Sequence, residues 1–221
     1  MPQDQDAIVI VAAARTPMGG LMGNLSSVRS PDLGATAIKA VVDASGLPAD
    51  DVDQVIMGCV LSGALGQAPA RQAALGAGLP VSTGCVTINK MCGSGMKAVM
   101  DAHDQIVAGS SDVMVAGGME NMSLSPYLLP KARGGMRMGH GEVLDSMFFD
   151  GLEDAYQGGL MGTFAQATAD RYAITREAMD DFAIESLKRA NRAIDSGWFE
   201  DEIAPVTIKD RKGETLVAVD E

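Results

Sequence analysis

Histidine is scarce in this chain: two in 221 residues, His103 and His140. A nucleophile that relied on a histidine base would have only these two to choose from. Cysteine is scarce too. Three cysteines cannot all pair, and the spacing of Cys59, Cys85 and Cys92 is not that of a zinc site. A reducing compartment is the simpler reading, and no metal is expected. Positive charge is in deficit, with 17 Lys and Arg against 29 Asp and Glu and a net charge of −12. No lysine and arginine cluster stands out, so a nucleic-acid partner is not expected. The apolar runs, such as residues 8–14, are far too short to span a bilayer. Residues 1–6 are polar and acidic, without the basic start and apolar block of a signal peptide. No solenoid repeat is found. These scarcities together point to a soluble, cytoplasmic protein with no nucleic-acid or membrane partner.

What is present is a core. Apolar residues make up 47% of the chain, enough for one large domain or two small ones and unlike a disordered segment. Residues 7–14 form a continuous apolar run, as expected for a strand buried on both faces of a sheet. Arg15 follows in a Pro- and Gly-containing loop and is expected to pair with a carboxylate. Pro31 and Asp32 open a helix that Ser45-Gly46-Leu47-Pro48 closes. Residues 52–57 read as a strand, 67–77 as a helix, 85–88 as a short strand and 112–116 as another buried strand. Strands alternating with helices predict an α/β fold with a mostly parallel sheet. From Ser125 a long irregular stretch carries Pro126, Pro130 and scattered Gly, Met and Arg, an arrangement usually functional or an interaction arm. Residues 164–172 read as helical. A second helix starts at an N-cap Thr175, with an apolar face through Met179, Phe182, Leu187 and Ile194, and ends at Ser196-Gly197. Residues 206–208 and 215–219 suggest an edge hairpin around the turn 210–213.

The chemistry concentrates at residues 86–99. A β-branched run ends at Cys92, a Gly93-Ser94-Gly95 turn follows, and Met96, Val99, Met100, His103, Ile106 and Val107 then recur at helical spacing. Cys92 is thus expected on a sharp strand-to-helix connection, at the start of a helix that runs to about Ala108 with Gly109 at C′. The first amides of a helix have no internal partner and favour an anion, here a thiolate. Gly93 and Gly95 are expected to remove Cβ atoms that would crowd an acyl group. Cys59 and Cys85 read as core. His103 lies three turns along the same helix, too far to reach Cys92, and His140 falls in the loop segment, so neither is expected as the base.

Residues 88–98, Ile-Asn-Lys-Met-Cys-Gly-Ser-Gly-Met-Lys-Ala, resemble the acyl-enzyme cysteine signature of thiolases. Arg15-Thr16-Pro17 and Gly117-Gly118-Met119-Glu120-Asn121-Met122-Ser123 are similar to further segments of that family, with Glu120 and Asn121 of the latter open to a structural or a functional role and not expected to be catalytic. The resemblance implies an α/β, layered α-β-α N-terminal domain (1–123) with an inserted loop domain (124–221), truncated before the C-terminal domain. It implies Cys92 as the acylated nucleophile and Leu152 and Met161 as apolar contacts for the pantetheine arm of coenzyme A. Acyl-CoA and CoA are the implied partners, coenzyme A thioesters being substrates, with no metal or redox cofactor. Residues 131–139 match a segment that contributes to oligomer contacts, implying a dimer or tetramer. Leu160 departs from the pattern, standing where well-known biosynthetic members carry a histidine.

The family's second half carries an Asn-Glu-Ala-Phe segment, a Gly-His-Pro histidine and a Cys-Xaa-Gly-Gly-Gly cysteine. None occurs in these residues, so the resemblance covers about half of a thiolase and the fragment by itself is expected to be inactive. The implied reaction is acetyl-CoA acetyl transfer. A degradative 3-ketoacyl-CoA thiolase is the near alternative; a non-catalytic oligomerising fragment and a thiol redox protein using Cys85 are the distant ones.

Overall fold

The structure is a computed structural model and describes residues 7–211 and 213–221. Residues 1–6, on which the signal-peptide reading rests, and Lys212, in the expected hairpin turn, lie outside the described residues. Two compact units are present. One comprises residues 1–124 together with 202–221, and the other residues 125–201.

The first unit is built on a parallel three-stranded sheet in the order β2-β1-β3, with β1 Gln54–Gly58, β2 Gly84–Ile88 and β3 Met114–Gly118. Strand β1 is central and buried along almost its whole length, which explains why Val55, Ile56 and Met57 are apolar in succession rather than alternately. On one face Val55, Met57 and Cys59 join a core with Ile38 of α1 (Ser30–Ser45) and Ala70, Ala73 and Ala74 of α2 (Pro69–Gly76). Asp53 ties the strand starts together, its Oδ2 accepting the amides of Asp112 and Val113 at 2.7 and 3.0 Å.

Helix α3, Ser94–Val107, packs against β1 and β3. The sequence periodicity marked Met96, Val99, Met100 and Val107 as its apolar face. The structure instead buries Ser94, Ala98 and Ala102 and leaves that methionine and valine stripe exposed, Met96 to 74%. Small residues let the helix axis approach the sheet; the larger stripe points the other way. The helix ends as the sequence predicts, with Gly109 at φ 72° and the paired Gly109-to-Ile106 and Ser110-to-Gln105 bonds of a Schellman motif.

The strand expected at residues 7–14 does not form. Its residues join no ladder, and Val9 and Ile10 are 68% and 82% exposed. Apolar β-branched sequence gives a strand its tendency, but a ladder also needs a partner strand alongside, which the run itself does not specify. Pairing begins only at Arg15, in a bridge to Ile203.

The tail also departs from expectation. Residues 202–221, assigned by sequence to the loop domain, belong to the first unit. The antiparallel hairpin β6 (Val206–Asp210) and β7 (Gly213–Val217) places Val206 in a small core with Leu25 and Leu33, flanked by Ile208 and Val217. Arg15 locks this closure as the carboxylate partner reading anticipated. Its guanidinium donates to both oxygens of Asp220 at 2.6 and 2.8 Å and to Glu202 at 2.6 Å. The Glu221 carboxylate accepts the amides of Gly20 and Asn24.

The second unit contains the two-residue strands β4 (Tyr127–Leu128) and β5 (Leu144–Asp145), a π-helix Phe148–Leu152, α4 (Met161–Arg171) and α5 (Arg176–Asp195). Thr175 Oγ1 accepts the Ala178 amide, the N-cap read from sequence. The apolar face expected on α5 is not buried: Phe182 is 78% exposed, and Ala193 is the helix's buried residue.

The Arg15 guanidinium and the Met18 amide hold the Asp220 carboxyl below its ordinary pKa, and its side chain is only 6% exposed. A depressed carboxyl contributes stability above its unfolded value of about 4, and that contribution is lost as pH falls through the lower folded value. D220N should therefore cost about 1–3 kcal/mol near neutrality and flatten the acid limb of a thermal-melting profile.

Candidate active site

Cys92 lies in the first unit, exposed, two residues before the first helical residue of α3. The connection from β2 is made by Asn89, Lys90 and Met91. Met91 adopts φ 49°, a left-handed conformation that costs an ordinary L-residue about 1–2 kcal/mol. Its two backbone groups are both used. The Met91 amide donates to Asn89 Oδ1 at 3.0 Å, and its carbonyl accepts from the Ser94 amide at 3.0 Å and from Ser94 Oγ at 2.6 Å. Ser94 Oγ also accepts the Lys90 amide at 2.8 Å. Ser94, 5% exposed, thus pins the turn from beneath and leaves the neighbouring thiol facing outward.

The sheet side of this turn is closely approached. A Cβ on Gly58 would lie 2.5 Å from Ser94 Cβ and 2.8 Å from the Gly95 amide nitrogen. Only glycine at the end of β1 lets α3 begin there. The expected role of Gly93 and Gly95 needs correction. The open direction at Gly95 faces the backbone of Gly117 and Gly118 at 3.7–3.8 Å, and that at Gly93 faces the Lys90 carbonyl at 3.5 Å. A Cβ at either would make ordinary contacts with the protein's own backbone. Gly93 is the N-cap and has no side chain to cap the helix. The amides of Gly95 and Met96, at the second and third helical positions, therefore lack an intrahelical partner and a side-chain cap.

The other cysteines are different. Cys59 is buried, and burial, with Glu120 beside it, pushes its thiol up to about 12. Burial also raises Cys85. Cys85 lies near the start of β2, and Cys92 lies past the strand's far end, beyond the turn at Met91; the strand from Cys85 to Ile88 alone spans about 10 Å. The redox reading has no geometric support. His103 is exposed on α3, 3.2 Å from Asp104 Oδ1. Among the described residues, Cys92 Sγ makes no hydrogen bond that would mark a base.

Glu120 and Asn121 brace backbone in the first unit. Glu120 accepts the amides of Val60 at 2.8 Å and Leu61 at 3.1 Å. Asn121 Nδ2 donates to the carbonyls of Leu25, Ser26 and Val28. The roles of Ser94 and Gly58 were missed. The Gly-Ser-Gly turn reads from sequence as room for an acyl group, and a buried hydroxyl working locally leaves no periodicity to read.

Leu152 and Met161 are in the second unit. Leu152 ends the π-helix half-buried, and Met161 opens α4 with nearly half its surface exposed. Leu160, the N-cap of α4, pairs with Glu153 in an isolated antiparallel bridge that brings the two segments together. No helix among the described residues is long and apolar enough to cross a membrane.

The site thus combines a parallel sheet, an exposed thiol on the strand-to-helix turn at its carboxyl edge and a Gly-Gly-Met-Glu segment that begins at the end of β3. The family model described as thiolase, N-terminal domain, matches residues 8–221. This chain belongs to the thiolase family. It is 49% identical over 209 residues to an acetyl-CoA acetyltransferase of Pseudomonas aeruginosa, covering 95% of this chain and 53% of that protein. It is 48% identical over 213 residues to acetyl-CoA acetyltransferase 2 of Arabidopsis thaliana, with 96% and 53% covered. A probable acetyl-CoA acyltransferase of Staphylococcus aureus is 46% identical over 210 residues, with 95% and 53% covered. The chain spans about half the length of the curated relatives it matches.

Two outcomes follow from this geometry. G58A should destabilise the first unit by about 3 kcal/mol in denaturant titration, since the colliding atoms are backbone and a short side chain. At pH 8, iodoacetamide should modify Cys92 in the native protein while Cys59 reacts only after unfolding, as peptide mass mapping would show.

Proposed function

We propose that the protein works as an acetyl-CoA acetyltransferase through an acyl-cysteine at Cys92. The observation that carries this reading is the exposed thiol on a strained, pinned turn at the start of α3, in a chain whose relatives bear that name. Cys92 as thiolate attacks an acyl-CoA thioester, the tetrahedral intermediate collapses with cleavage of the C–S bond to CoA, and CoA leaves as the thiolate, to be protonated from solvent or an acid supplied by the complete protein. The acyl group then passes to the carbanion of a second acetyl-CoA, or to CoA in the reverse, thiolytic direction. Helix-start amides near the thiol favour negative charge in its vicinity. Leu152 and Met161 serve as apolar contacts for the pantetheine arm. Coenzyme A thioesters are substrates, and the reaction calls for no metal or redox cofactor. The working protein is a cytoplasmic homo-oligomer, dimer or tetramer. Among the described residues neither histidine is placed as a base for Cys92, and the 221 residues by themselves should show no acetoacetyl-CoA thiolysis.

A 3-ketoacyl-CoA thiolase for longer chains is the second reading, favoured by Leu160 in place of the histidine of biosynthetic members. Comparing acetoacetyl-CoA with longer 3-ketoacyl-CoA substrates separates the two. The central test is brief incubation of the complete protein with acetyl-CoA followed by intact mass and peptide mapping. A single acetyl group on Cys92, absent in C92A, is the expected result. Acetylation elsewhere, or none, overturns the reading.

A further inference from the structure

The turn that carries Cys92 is connected to the ends of β1 and β3 by a chain of hydrogen bonds that the reaction itself does not require. It starts at Glu120, just past β3, whose Oε2 accepts the Val60 amide at 2.8 Å and whose Oε1 accepts the Leu61 amide at 3.1 Å. The carbonyl of the same Val60 accepts from Asn89 Nδ2 at 3.4 Å. Asn89 Oδ1 in turn accepts the Met91 amide at 3.0 Å, one residue before the thiol. Met91 is the residue held at φ 49°. An asparagine that accepts from the amide two residues on is a local device for tight turns. Here its other end is anchored outside the turn, on a loop that Glu120 fixes by two amides.

We infer that Asn89 and Glu120 are positioning residues, which fix the left-handed Met91 turn to the sheet and so set the direction in which Cys92 presents its sulfur. Asn89 is exposed and outside the core, so its effect does not pass through packing. Cys59 shares the Glu120 carboxylate, its Sγ donating to Oε1 at 3.7 Å, so the anchor is also seated against a buried group. Neither residue touches the acyl group; both act through Met91. The functional consequence rests on the acyl-cysteine reading above, but the positioning itself does not.

The test uses the complete protein with N89A, N89S and E120Q. Serine keeps an acceptor for the Met91 amide, and glutamine keeps the length of Glu120 while turning one acceptor into a donor facing an amide. Amide hydrogen exchange of a peptide spanning residues 89–95 should speed up about tenfold or more in N89A and E120Q, with exchange in the rest of α3 unchanged. N89S should recover most of the protection. In the same variants, acetylation of Cys92 by acetyl-CoA should slow about tenfold while its alkylation by iodoacetamide stays within about twofold, a split that a general loss of stability does not produce. Unchanged exchange in N89A or in E120Q overturns the inference, as does an equal slowing of acetylation and alkylation. A wild-type protein that is alkylated at Cys92 but never acetylated refutes the acyl-cysteine reading alone, and exchange then decides the positioning inference.

Discussion

The first turn of α3 lies against the carboxyl ends of β1 and β3 at backbone-contact distance, and the position of Cys92 follows from that approach. Gly58 has no room for a Cβ against Ser94 and Gly95, and a Cβ on Gly118 would lie 3.4 Å from the Gly95 Cα. With the helix start fixed this tightly, the connection from β2 has few residues in which to turn. It turns at Met91 in a conformation that L-residues avoid. The strain persists because the Asn89 and Ser94 side chains satisfy both of that residue's backbone groups. Close packing beneath and hydrogen bonding at the sides are therefore two parts of one constraint.

The three thiols show how far this constraint separates chemistry from packing. Cys59 sits one residue beyond Gly58 on the same strand end, yet it is buried, faces a carboxylate and has its ionisation pushed far above physiological pH. Cys92 is brought out to the surface by a turn that the buried Ser94 hydroxyl holds from beneath. Composition cannot distinguish the two, whereas the residues immediately after each cysteine do.

The Cys92 turn was legible in the sequence because it joins two periodic elements through a glycine pair, and local signals of that kind depend on few distant partners. The same holds for α1, the Gly109 cap and Thr175. The strand expected at residues 7–14 was not borne out, since strand formation depends on which chain lies alongside, a property the run itself does not encode. Periodicity in α3 picked out the wider apolar stripe, Met96, Val99 and Met100. Burial went instead to Ala98 and Ala102, whose small size matters only once the helix is laid on the sheet. The return of residues 202–221 to the first unit was hidden for a similar reason. It rests on Arg15 meeting Glu202 and Asp220, partners about two hundred positions apart in the chain.

That last pairing shapes the order of events as the polypeptide emerges. The segment from Ser125 to Asp201 is continuous and makes its own contacts, so it is free to close as soon as it leaves the ribosome. The first unit, begun earlier, stays open on this flank until residues 202–221 are made. Leu25 and Leu33 wait for Val206, and Arg15 waits for Asp220. The entropy of closing so long a loop grows only slowly with its length, but the search for the partner is long. The nascent chain therefore carries an open flank from the time Leu25 and Leu33 are made until the hairpin follows them.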